Sequence, residues 1–260
     1  AEIWPYIDRQ DQKKSCLRLY MPTFRPQEQE SVRHAAILPA SRPEFYDFDL
    51  FHQPGQSPDL DKRLLKELSY TVFDTETTGL DPSGGDAIVS IGALRIVNTH
   101  ILSEESFDQL VNPQREIPMS ATKIHGITHA MVQSQPTIDG VLPAFFKYTE
   151  DTIIVAHNAA FDMRMLQTYE NRTGIRFVNP VLDTLLLSAI VHPAQEDQTL
   201  SSIARRLGVS VVARHTAMGD AMMTAKIFIR MIPLLENKGI RTLGEARAAS
   251  EKTYYARVTF

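Results

Sequence analysis

Tyr70-Thr71-Val72-Phe73-Asp74-Thr75-Glu76-Thr77-Thr78-Gly79 is the stretch on which the fold turns. Alternate residues of a strand project to one face, so Tyr70, Val72, Asp74 and Glu76 share one side and Thr71, Phe73 and Thr75 the other. That alternation predicts a strand. Thr77 to Pro82, followed by Ser83-Gly84-Gly85-Asp86, predicts the turn that ends it. Stability alone does not explain two carboxylates on one face of a strand end. At about 4 Å their repulsion is roughly 1 kcal/mol in water and about 4 kcal/mol at an effective dielectric of 20. An isolated D-x-E is commonly a solvated strand face. Here the residues before it on that face, Tyr70 and Val72, are apolar. The pair is therefore expected where the sheet enters the core or a cleft, and a hard cation would relieve the repulsion.

Outward from this strand, 87–97 (AIVSIGALRIV) reads as a second strand and 106–111 as a third, stopped at Asn112-Pro113. Short helices are predicted over 120–124, ending at Gly126, and over 139–148. The run 152–156 (TIIVA) has the unbroken apolar character of a buried parallel strand. A helix is predicted over 159–171, a fifth strand over 181–184, and a helix over 200–207 stopped at Gly208. A long helix over 217–235, with Pro233 disturbing its last turn, closes the domain. Three strands followed by alternating helix and strand predict a mixed α/β sandwich. A short helix over 61–68 leads in, and a basic, alanine-rich tail after Gly239 has room for one more.

The 260 residues are 43% hydrophobic and 22% charged, which supports a substantial core and excludes a disordered chain. The first 66 residues hold seven of the fifteen prolines but also Trp4, Tyr6, Tyr46, Phe48 and Phe51. They are expected to be an irregular arm that packs on the domain or docks a partner or a second copy. No window is apolar enough to span a membrane, and Ala1-Glu2-Ile3-Trp4-Pro5 does not begin a secretory signal. The single cysteine, Cys16, excludes a disulfide framework and a cysteine-rich zinc site. A cytoplasmic location is the expectation. The net charge of -4 argues against non-specific coating of nucleic acid. A polyanion would have to be handled at a local site with bound cations.

Two more segments carry chemistry. His157-Asn158-Ala159-Ala160-Phe161-Asp162 follows the buried strand directly, with Asn158 placed to cap the next helix and Asp162 one turn inside it. In His215-Thr216-Ala217-Met218-Gly219-Asp220, five helical steps would leave His215 and Asp220 about 140° apart. For both to face one site His215 must precede the helix, and Thr216 as N-cap permits that.

Together these segments, from about Leu68 to Met231, resemble the DEDD-type 3′–5′ exonucleases. The likeness is to the subgroup whose third motif is H-x4-D, the DnaQ-like branch that includes the epsilon proofreading subunits of bacterial DNA polymerase III. Asp74-Thr75-Glu76-Thr77-Thr78-Gly79 looks like the first motif, His157-Asn158 with Phe161-Asp162 like the second, and His215 to Asp220 like the third. Val181-Leu182-Asp183-Thr184 is similar to the family's intervening strand, with Asp183 expected either to support the site's acids from behind or to be a structural acid.

The resemblance implies a ribonuclease-H-like α/β fold, a mixed five-stranded sheet flanked by helices, over 67–237, with 1–66 as a docking extension and 238–260 as a tail. It implies two divalent cations, Mg²⁺ or Mn²⁺, held by Asp74, Glu76, Asp162 and Asp220, with His215 as general base. The expected reaction is release of nucleoside 5′-monophosphates from nucleic-acid 3′ ends, single-stranded DNA in particular. Thr77, Thr78, Gly79, Leu80, His125, Asn158 and Phe161 are the candidate substrate contacts. At the sequence level Phe161 reads more readily as a core residue, and Asn158 as a cap. An RNA-trimming enzyme of the same superfamily and a non-catalytic binding module remain alternative readings.

Overall fold

A computed structural model describes residues 58–210 and 214–253; the expectations for the arm before residue 58 and for the chain end after residue 253 lie outside them. The alternating segment is strand β1 (Ser69–Thr77), followed by β2 (Ile88–Val97), β3 (His100–Leu110), β4 (Ile153–Ala156) and β5 (Val181–Asp183). They form one sheet in the order β3-β2-β1-β4-β5. β1 pairs antiparallel with β2, and β2 with β3, while β1–β4 and β4–β5 are parallel. The helices are α1 (Pro58–Asp61), α2 (Met119–His125), α3 (His129–Val132), α4 (Ile138–Thr149), α5 (Ala159–Gln167), α6 (Glu170–Thr173), α7 (Thr184–Val191), α8 (Leu200–Arg206), α9 (Ala217–Asn237) and α10 (Leu243–Ser250). This is the expected mixed five-stranded, ribonuclease-H-like sheet flanked by helices.

β1 is central, so both its faces are buried. Tyr70 and Val72, with Leu94 and Ile96 of β2, pack under α9, where Phe228, Met231 and Leu235 complete the layer. The Tyr70 and Phe228 rings meet edge to face at 4.7 Å. Phe73, Ile91 and Ala93 point the other way, onto Val141, Leu142 and Phe145 of α4 and Met163 and Leu166 of α5. Full burial of each large apolar side chain contributes about 1.5–3 kcal/mol. A central strand walled in on both faces is thus a rigid mount for whatever its end carries.

Several boundaries differ from the sequence reading. β3 begins at His100 rather than Ser106, because Asn98 and Thr99 both adopt left-handed backbone (φ 48° and 65°) and close a two-residue turn. As an edge strand it is largely exposed, so its polar start conceals it. α7 follows β5 with no loop, its apolar run (TLLLSAIV) carrying little helical period; α3 was equally hidden. The helix expected over 159–171 divides into α5 and α6. α9 continues through Pro233 to Asn237. In place of a helix over 61–68 there are α1 and a 3-10 turn, Leu65–Glu67. Leu65 shares the core beneath α9 with Leu243 and Ala246 of α10, and Leu64 bridges to Thr242. The described part of the tail is thereby packed into the domain. Among the described residues no helix is long and apolar enough to cross a membrane.

Candidate active site

The site forms where β1 ends and the sheet opens. The parallel ladder between β1 and β4 runs through Tyr70↔Ile153, Thr71↔Ile154 and Val72↔Val155. The ladder stops there, and Asp74 and Glu76 lie beyond it at the carboxyl end of β1, the usual ligand position in open α/β sheets. Asp74 and Glu76 lie on the α9 face of this strand end. Asp220, in the first turn of α9, comes down to them. One carboxylate oxygen from each of Asp74, Glu76 and Asp220 lies within 4.8 Å of the others, and all three residues are buried.

Helix α9 can come this close because of Gly92. It lies directly opposite Asp74 in the β1–β2 ladder, so the two residues share a face. A Cβ built on Gly92 would stand 2.3 Å from the backbone nitrogen of Met218 and 2.4 Å from the carbonyl carbon of Ala217. The first turn of α9 therefore rests on bare backbone. A glycine inside an apolar strand run is the sequence sign of such an approach, and it is the positional residue that motif reading missed. Thr216 is the N-cap of α9, its side chain accepting from the Gly219 N–H at 3.1 Å. His215 precedes the helix, exposed, with φ at 60°. Arg214 Nη1 stands 3.8 Å from Asp220 Oδ1. Arg206, the last residue of α8, donates to the carbonyl of Asp197 ahead of that helix.

Asp162 approaches from the opposite side of the sheet and is outside the 4.8 Å group. Fully buried, it accepts at Oδ1 from the Thr75 N–H at 3.1 Å and from the Thr75 hydroxyl at 2.5 Å. Thr75, the middle residue of D-T-E, thus ties the second motif to the first through the backbone group that β4 no longer pairs.

The turn carrying Asp162 corrects one expectation. Asn158 makes no side-chain capping bond; it sits in left-handed backbone (φ 56°, ψ 50°). The cap comes from β5. Asp183 accepts the Asn158 N–H at 2.9 Å and the Leu185 N–H at 2.8 Å on Oδ1, and the Ala159 N–H at 2.9 Å on Oδ2. Burial pushes the Asp183 carboxyl up to about 7, against the downward pull of those three donors. Phe161 is fully buried among the aromatics beneath α4.

The loop after Glu76 is built around Asp86. The Thr78 hydroxyl donates to Asp86 Oδ1 at 2.7 Å, and a Cβ on Gly79 would meet Asp86 Oδ2 at 2.2 Å. The Thr77 hydroxyl donates to the Gly79 carbonyl. Leu80 is left 41% exposed at the loop's tip, with Ile124 of α2 also exposed. His125 is buried; its Nδ1 accepts the Ile127 N–H at 3.0 Å, which leaves the ring proton on Nε2. Burial holds the His125 pKa below the usual imidazole value, and a backbone contact to Thr77 opposes this.

The converged carboxylates form an oxygen-only donor set of the kind that hard divalent cations take. Comparisons with known proteins agree with that chemistry. Residues 71–228 match the RNase_T family model, described as exonuclease. A DNA polymerase III subunit epsilon-like protein of Rhodobacter capsulatus is 44% identical over 246 residues, covering 94% of this chain and 34% of that protein. A PolC-type DNA polymerase III of Caldanaerobacter subterraneus is 38% identical over 179 residues, 69% of this chain and 13% of that one. The chain thus spans about a third or less of these relatives' length. Exonuclease X, solved in complex with 5′ overhanging duplex DNA, superposes with a TM-score of 0.57 at 26% identity, over 70% of this chain and 99% of that one. The nuclease domain of 3′hExo, a DEDDh family member bound to rAMP, shares the fold with a TM-score of 0.58 at 16% identity, over 69% of this chain and 97% of that one. With the motifs set on this sheet and the family model matched across most of the domain, the chain belongs to the RNase_T exonuclease family.

Proposed function

We propose that this chain is a metal-dependent 3′–5′ exonuclease that removes nucleoside 5′-monophosphates from the 3′ end of single-stranded DNA. The observation that carries the reading is the convergence of Asp74, Glu76 and Asp220 at the open end of the sheet. Asp74, Glu76 and Asp220, with Asp162 beside them, would hold two Mg²⁺ or Mn²⁺ ions, which when bound supply charge neutralisation and Lewis acidity at the phosphodiester. His215 accepts the proton of the attacking water, and its exposed place ahead of α9 leaves the ring free to meet a solvent molecule. Leu80 and Ile124 offer apolar surface to the terminal base. The buried His125 and the Asp86-centred loop keep the strand end in one conformation. DNA is favoured over RNA by the epsilon-like and PolC-type relatives.

The test is a parallel digestion of 3′-labelled and 5′-labelled single-stranded DNA, duplex DNA and RNA, with Mg²⁺, with Mn²⁺ and with chelator. The 3′ label should leave first, as a mononucleotide, only with metal and fastest from single-stranded DNA. Release of the 5′ label first, or turnover in chelator, would overturn the reading. His215→Ala should lower kcat by about 10²–10⁴ while KM changes little. An unchanged kcat would remove the imidazole from the mechanism.

A further inference from the structure

We propose that Asp183 is a positioning residue for the acid site: by binding the backbone N–H groups of Asn158 and Ala159 it fixes the start of α5, and so sets Asp162 against Thr75. The inference rests on the metal-site reading above and goes a step further, because Asp183 itself holds no cation.

The start of α5 has an unusual need. Asn158 lies in left-handed backbone, which costs a non-glycine residue on the order of 1–2 kcal/mol, less for Asn than for most. Its side chain makes no capping bond. The turn brings two successive N–H groups, Asn158 and Ala159, to face one point, the concave donor arrangement that binds anions. Here the chain provides the anion: the Asp183 carboxylate takes both, and it also accepts from Leu185 at the start of α7. One buried side chain on β5 therefore ties the first residues of two helices to the sheet.

Asp162 lies three residues beyond Ala159, about 4.5 Å along the helix axis at 1.5 Å per residue. Its described bonds are to Thr75, and Asp183 acts on it as a like charge. Release of the α5 N-terminus frees the turn that carries Asp162 to shift relative to Thr75. Misplacing a site group by about 1 Å can cost on the order of 10²-fold. Outer partners of metal ligands typically contribute 10–100-fold in affinity. Asp183 would act at that distance, through backbone rather than through a ligand side chain.

The experiment measures Mn²⁺ affinity directly, by the paramagnetic resonance of free Mn²⁺, in full-length wild-type protein and in Asp183→Asn. The amide keeps the shape but brings N–H donors against backbone N–H groups. We expect the Mn²⁺ dissociation constant to rise at least about 10-fold, with faster hydrogen exchange at the Asn158 and Ala159 amides. Leu187→Ala is the control for general destabilisation, since Leu187 is fully buried in the core under α9 and is outside the α5 turn. It should lower the melting temperature at least as much and leave Mn²⁺ affinity within about 2-fold. If Asp183→Asn does not accumulate folded, Asp183→Ser, which keeps one acceptor in less volume, is read the same way. Wild-type affinity in the Asp183 variant, or an equal loss in Leu187→Ala, overturns the proposal. If Asp74→Asn binds Mn²⁺ as tightly as wild type does, the metal-site reading itself is at fault, and Asp183 is not.

Discussion

Asp183 and Asp74 sit at the same end of one sheet and are almost equally inaccessible, at 2% and 5% exposure, yet they are buried in opposite ways. Asp183 is surrounded by three backbone N–H donors that offset part of the cost of its burial. Asp74 is surrounded by more of its own kind, with Glu76 and Asp220 oxygens inside the same 4.8 Å. Burial alone therefore does not mark a ligand. What separates the two is the company each carboxyl keeps, backbone donors around Asp183 and other carboxylates beside Asp74. Asp162 stands between them: bound to Thr75 by backbone and hydroxyl, and aligned by the helix that Asp183 anchors.

The sharpest way to break this comparison is to neutralise one acid of each kind. Asp74→Asn should abolish exonuclease activity, by at least about 10³-fold, while making the metal-free protein more stable by about 1–2 kcal/mol, because a like-charge contact is removed. Asp183→Asn should instead cost about 1–3 kcal/mol, the penalty of a buried donor set left without its acceptor. Urea unfolding of both variants in chelator gives the two signs. A shift in the same direction for both would show that the distinction between the two kinds of company is false.

A smaller effect separates the two helices that bring acids to the site. α5 is held by hydrogen bonds to Asp183, whereas α9 is held by the missing side chain of Gly92. Gly92→Ala puts a methyl group against the backbone of Ala217 and Met218, which no side-chain rotation can relieve. Overpacking of that kind costs about 1–3 kcal/mol. Because the displaced turn carries Asp220, kcat should fall on the order of 10²-fold, with KM little altered. Full activity with only a loss of stability would mean that the approach of α9 serves packing alone.

The two helices also show what the sequence could and could not disclose. The placement of D-T-E on β1, of H-N-A-A-F-D at the start of α5 and of H-T-A-M-G-D at the start of α9 was legible because motif residues keep their spacing to the elements that carry them. So was the placement of His215 ahead of α9, which follows from helical geometry alone. Asp183 was legible as a supporting acid, but what the supports hold was not. Asp183 reaches Asn158 and Ala159 from 25 and 24 residues away, and Thr75 reaches Asp162 across 87 residues. Asn158 looked like a capping residue because Asn usually caps by its side chain, and nothing local reveals that another strand has taken that task. The same limit explains the fold's misread boundaries: the exposed edge strand β3 and the loop-free helix α7 depend on neighbours rather than on their own periodicity.

His125 offers the finest test, because it is a third kind of buried titratable group, neutral by geometry. Its Nδ1 accepts the Ile127 N–H, so a proton added there would set two donors against each other. Burial lowers its pKa from the model-peptide value of 6.5. The folded state therefore resists a proton that the unfolded chain accepts. The associated stability is present above about pH 6.5 and is lost as the pH falls below it, by at most about 1.4 kcal/mol per pH unit. His192, also lowered by burial, contributes with the same sign, so the effect is read as a difference between wild type and His125→Asn. The stability gap between them should be constant above pH 7 and narrow towards pH 5. A gap that stays constant over the whole range would mean that the ring takes up its proton as easily in the fold as in the unfolded chain. In that case α2 would open enough at the loop after Glu76 to admit water, and the strand end would be less rigid than its burial implies.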